Sequence, residues 1–138
     1  MLAKWRAATR LAEDDDVVTL AVERREDGLL LGSVTIFLRS VEHRQVEVGY
    51  VFHPDSGGRG YATEATRALI DFAFAELRAH RVFARTDVRN EPSAAVCRRL
   101  GMREEAHIRE AEIFKGEGGD ELVFAILDRE WPPAADPA

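Results

Sequence analysis

Residues 45–66, reading QVEVGYVFHPDSGGRGYATEAT, constrain the fold more than any other stretch of the chain. Val46, Val48, Tyr50 and Phe52 alternate with other residues as a half-buried strand does. His53-Pro54 ends that run, and Ser56-Gly57-Gly58-Arg59-Gly60-Tyr61-Ala62-Thr63 leads into an amphipathic helix. A strand, a glycine-rich turn and a helix N-terminus thus follow in series. Gly57, Gly58 and Gly60 let the backbone approach a ligand closely and take positive φ without a Cβ clash. The helix behind them leaves its first N–H groups unpaired at the positive end of its dipole, which suits an anion such as a pyrophosphate.

Two familiar phosphate loops do not fit. No Lys follows at the place that G-x-x-x-x-G-K-[ST] requires, and Thr63 stands where the third glycine of G-x-G-x-x-G belongs. What remains is Gly57-Gly58-Arg59-Gly60-Tyr61-Ala62. This resembles the phosphate loop Q/R-x-x-G-x-G/A of the GCN5-related N-acetyltransferase (GNAT) superfamily, which holds the diphosphate of acetyl-CoA. Gly57 departs from it by replacing Gln or Arg, which removes one side-chain phosphate contact and leaves the backbone cradle. A plain connecting turn is the alternative reading of the same glycines.

At 138 residues with 46% hydrophobic content, the chain suits one globular domain, expected over 1–131 with an irregular tail at 132–138. A net charge of −6 disfavours nucleic acid and suits a cationic or amine-bearing partner. Cys97 is the single cysteine, which excludes an internal disulfide and fits a reducing compartment. No apolar run approaches the roughly 20 residues that span a bilayer, and no signal-peptide core opens the chain, so the expected location is the cytoplasm.

Leu2, Trp5, Ala8 and Ala12 predict a short helix over 3–13, ended by Glu13-Asp14-Asp15-Asp16 as a solvated turn that could also attract a cationic acceptor. Residues 17–23 and 29–39 read as a hairpin with an Asp27-Gly28 turn. A second turn at 40–44 delivers the strand of the opening stretch. Ala65, Ala68, Leu69, Phe72, Ala73 and Leu77 mark the core face of the next helix, expected to end at His80-Arg81. Residues 82–88 follow as a strand, which the intervening helix allows to pair in parallel. Ser93 opens a short helix that Gly101 stops, and 102–114 and 121–127 are the last two strands, joined by 115–120.

Asn90-x-x-Ser93, then Arg99-Leu100-Gly101-Met102, then Arg109-Glu110-Ala111-Glu112 are similar in kind and order to the N-x-x-S, R/K-L-G-F and R-x-A-E patterns of RimJ/RimL-type GNAT enzymes. Those enzymes acetylate the N-terminal amine of ribosomal proteins. The likeness implies an α/β GNAT fold: a mixed, mainly antiparallel sheet with helices on both faces. The usual first strand and first helix are missing ahead of this sequence's opening helix. A shortened start and a partner subunit that supplies the missing surface, as in a homodimer, are two explanations.

Acyl transfer to an amine needs a proton acceptor, because an α-amino group has a pKa of about 7.7–8.0 and a lysine amine about 10.4. The tetrahedral oxyanion needs a preorganised N–H, and the departing CoA thiolate gains from a nearby donor. The resemblance implies that the backbone of Tyr50, Val51 and Phe52, beside a gap between strands, receives the pantetheine arm. It puts the diphosphate on the backbone of Gly58, Arg59, Gly60, Tyr61, Ala62 and Thr63, with the Thr63 hydroxyl adding a donor. Asn90 would fix the pantetheine amides, and Arg99 is a candidate for the CoA phosphates. Glu112 matches the proposed base of RimL-like enzymes, although an exposed strand carboxylate reads the same. Glu47 is the rival, acting through water. Ser93 matches their proposed acid, although a helix-start serine also explains it. Cys97 reads as a small core thiol, at a place where many relatives outside the subgroup carry a proton-donating Tyr.

The expected activity is direct transfer from acetyl-CoA to a primary amine, favouring a protein N-terminus. A polyamine or aminoglycoside acceptor and a non-catalytic acyl-CoA-binding module are the alternatives. The four histidines show no zinc-ligand spacing, so no metal is expected.

Overall fold

The computed structural model describes residues 11–53, 60–114 and 117–132, with the backbone alone for 112–114 and 117. Its strands are β1 (Asp16–Glu23), β2 (Leu30–Ser40), β3 (Gln45–Phe52), β4 (Arg81–Asp87), β5 (Arg103–Phe114) and β6 (Glu117–Leu127). Helix α1 (Tyr61–Ala75) joins β3 to β4, and α2 (Glu91–Arg99) joins β4 to β5. The strands form one six-stranded sheet in the order β1-β2-β3-β4-β6-β5. Only β3 and β4 pair in parallel, as the helical crossover permits; the other neighbours are antiparallel.

Both hairpin turns follow from local chemistry. Gly28 takes φ 70°, and the Asp27 carboxylate accepts the Leu29 N–H at 3.1 Å. In the second, Arg44 adopts φ 51° while Ser40 Oγ accepts the His43 N–H at 3.1 Å. Strand alternation sends Val34, Ile36, Val46 and Val48 to one face, where Leu69 and Ile70 of α1 are fully buried against them. Helix α2 adds Val96, Cys97 and Leu100 to the same core, beside Phe124 and Ile126 of β6. Each such side chain contributes about 1.5–3 kcal/mol of burial.

Three expectations change. The predicted helix over 3–13 falls mostly outside the described residues, and within them residues 11–13 are not helical. Both described helices cover one face of the sheet. Helix α1 stops at Ala75 instead of running to His80-Arg81. Arg78 takes φ 54°, and the chain folds back so that the Ala79 N–H reaches the Ala73 carbonyl at 3.0 Å. Strand β6 starts at Glu117 rather than residue 121, because Gly118 and Gly119 pair with Ile113 and Glu112 across the hairpin.

The acidic run at 13–16 is also not simply solvated. Asp16 Oδ2 accepts the N–H groups of Ala12 and Glu13 at 2.9 and 2.8 Å, Asp14 accepts that of Val41 at 2.8 Å, and Asp15 pairs with Arg39 at 3.1 Å. These carboxylates tie the start of β1 to the β2–β3 turn. Gly101, in contrast, stops α2 as expected, at φ 81°, with the Met102 N–H returning to the Cys97 carbonyl at 3.0 Å. Among the described residues no helix is long and apolar enough to cross a membrane.

Candidate active site

The ladder between β3 and β4 is short. Three pairs, Gln45↔Arg81, Val46↔Val82 and Glu47↔Phe83, are all it contains. From Val48 onward β3 keeps its full pairing with β2, out to Gly32↔Phe52, but none with β4. The last five residues of β3 therefore present an open edge. Gly32 makes this end tight, since a Cβ there would overlap the Val51 carbonyl and meet the Phe52 Cα at 2.7 Å. Val51 is 72% exposed on the face away from the helices.

Helix α1 begins beyond that edge without a side-chain cap. Its N-cap is Gly60 at φ 74°, a left-handed position that glycine takes without strain. The first turn closes with the Glu64 N–H on the Gly60 carbonyl at 2.9 Å, so the N–H groups of Tyr61, Ala62 and Thr63 have no helical carbonyl to bond. Thr63 Oγ1 is buried beside them and has no hydrogen-bond partner among the described residues. N–H groups uncapped and a buried hydroxyl orphaned among the described residues fit an oxyanion that brings its own acceptors. Gly58 and Arg59 lie outside the described residues.

On the helix side of the slot, Tyr50 reaches α2. Its hydroxyl donates to the Ser93 carbonyl at 2.7 Å, accepts from Ser93 Oγ at 3.3 Å and lies 3.0 Å from Cys97 Sγ. Burial, followed by the neighbouring thiol, pushes the Tyr50 phenol far above its ordinary range, and burial raises the Cys97 thiol as well. Both keep their protons. Asn90 is the N-cap of α2, with Oδ1 accepting the Ser93 N–H at 3.2 Å, so Ser93 sits in the first turn. Arg99 is exposed in the last turn of α2, about 9 Å along the helix axis from Ser93.

Glu47 lies on the opposite face, because residues 47 and 50 differ by an odd number of strand positions. Only 6% exposed, it accepts from Arg39 Nε at 2.9 Å and from Arg85 Nε at 3.1 Å. Each of its two oxygens thus already has a guanidinium partner. It lines a cleft of about 210 Å³ with Arg85, Thr86, Asp87, Gly119, Asp120 and Glu121. Arg89 holds the Asp87 carboxyl down to about 2.

Asp120 is the hub of the cleft's far wall. Its Oδ1 accepts the Glu110 N–H at 2.9 Å and its Oδ2 lies 2.7 Å from His107 Nε2. Those contacts, the backbone one foremost, lower its pKa. They also stabilise a bulge in β5 between Ile108 and Glu112, where Glu110 takes φ 49°. Glu112 follows directly, its backbone opposite Gly119 of the cleft.

The fold thus brings Ser93, Tyr50 and Cys97 together on one side of the β3 edge, and Glu47, Asp120 and the Glu112 backbone on the other. Sequence reasoning missed the Tyr50 phenol, the two arginines on Glu47 and the role of Asp120. The one available signal was polar spacing: Tyr50 continues an apolar alternation in which a hydroxyl needs a partner once buried. No group of three or more His, Cys, Asp or Glu side chains arranged to hold a metal ion occurs among the described residues.

Residues 1–103 match the family described as the acetyltransferase (GNAT) domain. The chain is 33% identical over 117 residues to the uncharacterized N-acetyltransferase YnaD of Bacillus subtilis, covering 85% of this chain and 68% of YnaD. To YdaF of the same organism, which carries the provisional name ribosomal N-acetyltransferase, it is 36% identical over 105 residues, 76% of this chain and 57% of that one. Spermidine N(1)-acetyltransferase of Escherichia coli is 24% identical over 105 residues, covering 76% and 56%. Among solved structures, a GNAT-family acetyltransferase from Bacillus anthracis superposes with a TM-score of 0.76 at 32% identity, over 81% of this chain and 67% of that one. The chain spans 56–68% of the length of these curated relatives.

Proposed function

This chain belongs to the GNAT acetyltransferase family, and on that premise we propose that it transfers the acetyl group of acetyl-CoA directly to a primary amine, the N-terminal amine of a protein. Residues 1–131 act as one catalytic domain in this reading. The observation that carries it is the open edge of β3 ending at a helix N-terminus that, among the described residues, is uncapped and holds an orphaned buried hydroxyl. A diphosphate at α1 and an extended arm along β3 would use both.

Each residue then has a task. The N–H groups of Tyr61, Ala62 and Thr63, with the Thr63 hydroxyl, hold the diphosphate. The backbone of Tyr50, Val51 and Phe52 bonds the pantetheine and acyl oxygens, and Asn90, whose Oδ1 is engaged by Ser93, has its amide N–H₂ for the arm. Ser93 donates a hydrogen bond to the departing sulfur. Glu112 accepts the amine proton, while Glu47, tied to two arginines, forms part of the cleft wall. This division follows from geometry: both Glu47 oxygens are engaged, one by Arg39 and one by Arg85, so neither is directed at an incoming amine.

Two features support the protein N-terminus. The R-x-A-E strand and the N-x-x-S helix resemble RimJ/RimL-type enzymes, and YdaF carries a ribosomal name. The spermidine enzyme keeps a polyamine in view, and the cleft carboxylates would suit one. However, Glu47 is already committed to Arg39 and Arg85, and Asp87 to Arg89, so the cleft offers a polycation less charge than its composition suggests. An α-amine is also the easier nucleophile, being partly neutral near pH 7.7–8.0, its approximate pKa range.

The test is CoA release with acetyl-CoA against a panel of peptides with free N-termini, the same peptides with blocked N-termini, and spermidine. Turnover with the free peptides alone supports the proposal. Turnover with spermidine alone overturns the acceptor. Binding of acetyl-CoA without release for any amine overturns the enzyme and leaves a binding module.

A further inference from the structure

Three side chains meet where α2 abuts the open half of β3, and their hydrogens can be counted. Tyr50 has one hydroxyl proton, and the short 2.7 Å contact directs it to the Ser93 carbonyl. The phenol oxygen therefore has only lone pairs for its other two neighbours, Ser93 Oγ at 3.3 Å and Cys97 Sγ at 3.0 Å. Both must donate. Cys97 is 0% exposed and burial raises its thiol, so its S–H is retained as a donor. The phenol, raised by the same cause, is a fixed acceptor and not an acid.

The two donors differ in strength of hold. The sulfur contact is short for an S–H···O bond, whereas the serine contact is near the outer limit of hydrogen bonding. Ser93 can turn its O–H outward at small cost, provided the phenol oxygen stays occupied. We propose that Cys97 is a positioning residue for Ser93: its S–H satisfies the Tyr50 oxygen and so releases the serine hydroxyl to face the slot. The Tyr50 hydroxyl, by bonding the Ser93 carbonyl, keeps the first turn of α2 in place while the side chain turns. This rests on the reading of Ser93 as the hydrogen-bond donor to the departing thiolate. It assigns work to a thiol that burial alone would class as core filling.

The experiment compares Cys97→Ala, Cys97→Ser and Ser93→Ala, singly and with Cys97→Ala added to Ser93→Ala, by steady-state kinetics. Cys97→Ala is expected to lower kcat about three- to tenfold, the loss one neutral hydrogen bond accounts for, with KM for acetyl-CoA within about twofold. Cys97→Ser keeps an O–H donor and should recover most of kcat. On the Ser93→Ala background, Cys97→Ala should change nothing further. Full activity of Cys97→Ala while Ser93→Ala is slow overturns the inference alone. Full activity of Ser93→Ala overturns the role of Ser93 and the inference with it. A readout independent of turnover is the infrared S–H stretch, unambiguous because the chain has 1 cysteine. It should shift on Tyr50→Phe in the folded protein, and an unshifted band overturns the S–H···O bond on which the inference stands.

Discussion

Thr63→Val should move stability and cofactor affinity in opposite directions. Thr63 Oγ1 is buried in the first turn of α1 with no partner among the described residues, so the unliganded protein carries the cost of desolvating a hydroxyl, about 1–3 kcal/mol. Valine has nearly the same shape, lacks the hydroxyl and has a similar helix propensity. Removing the orphan should therefore stabilise the free protein by about 1 kcal/mol, a rise in Tm of roughly 3–4 °C for a chain of this length. The same substitution deletes a hydrogen bond to a charged phosphate oxygen, worth about 1.5–3 kcal/mol, or a loss of roughly 10- to 150-fold in CoA affinity. Thr63→Ser keeps the hydroxyl and should retain affinity. Scanning calorimetry of the free protein and isothermal titration with CoA read the two effects separately. A variant with lower Tm and unchanged CoA affinity would refute the reasoning, because the hydroxyl would then belong to the fold and not to the ligand.

Glu112→Gln should lower kcat by about 100-fold or more while KM for acetyl-CoA stays within about twofold, the loss expected for a general base; activity equal to the parent would move the role to Glu47. Gly32→Ala drives a Cβ onto the Val51 carbonyl and Phe52 Cα, backbone atoms that cannot rotate away. It should destabilise by about 1–3 kcal/mol and weaken CoA binding along the displaced β3 edge, as urea midpoints and titration would report. Arg24, and then the Leu29 N–H, hold the Asp27 carboxyl down to about 2. Its folded pKa lies below its unfolded value, so its contribution is present above about pH 4 and lost as pH falls towards about 2. Asp27→Asn should flatten the urea midpoint over that window relative to the parent, and an identical slope would show that the pair adds nothing.

What the sequence made legible was local. The left-handed Gly60, the helix behind it, the stop at Gly101 and the hairpin at Asp27-Gly28 depend on residues within a few positions of one another. Where the chain turns on distant partners the reading was incomplete. Glu47 read as a candidate base, yet its two arginines come from 8 and 38 positions away. Cys97 read as a core thiol and is fully buried, but the hydroxyl of Tyr50, 47 positions earlier, gave no sign that it would arrive beside it. Leu77 extended the helical spacing of α1, but one left-handed residue at Arg78 outweighed it. The glycines at 118–119 read as loop, and only the register with β5 draws them into a strand.

One consequence of strand geometry was open to derivation and ties the site together. Alternation on β3 puts Tyr50 on the helix face and Glu47 on the other, so the sheet separates the thiol-side residues from the cleft carboxylates. A continuous ladder between β3 and β4 would close every path between them. Pairing instead ends at Glu47↔Phe83, and beyond it the two faces communicate through the open edge. In the proposed reaction the acyl carbon sits in that opening, the amine approaches from the cleft and the sulfur departs towards α2. In that reaction the premature end of a parallel ladder would let the base at the nitrogen and the donor at the sulfur flank one acyl carbon from opposite faces of the same sheet.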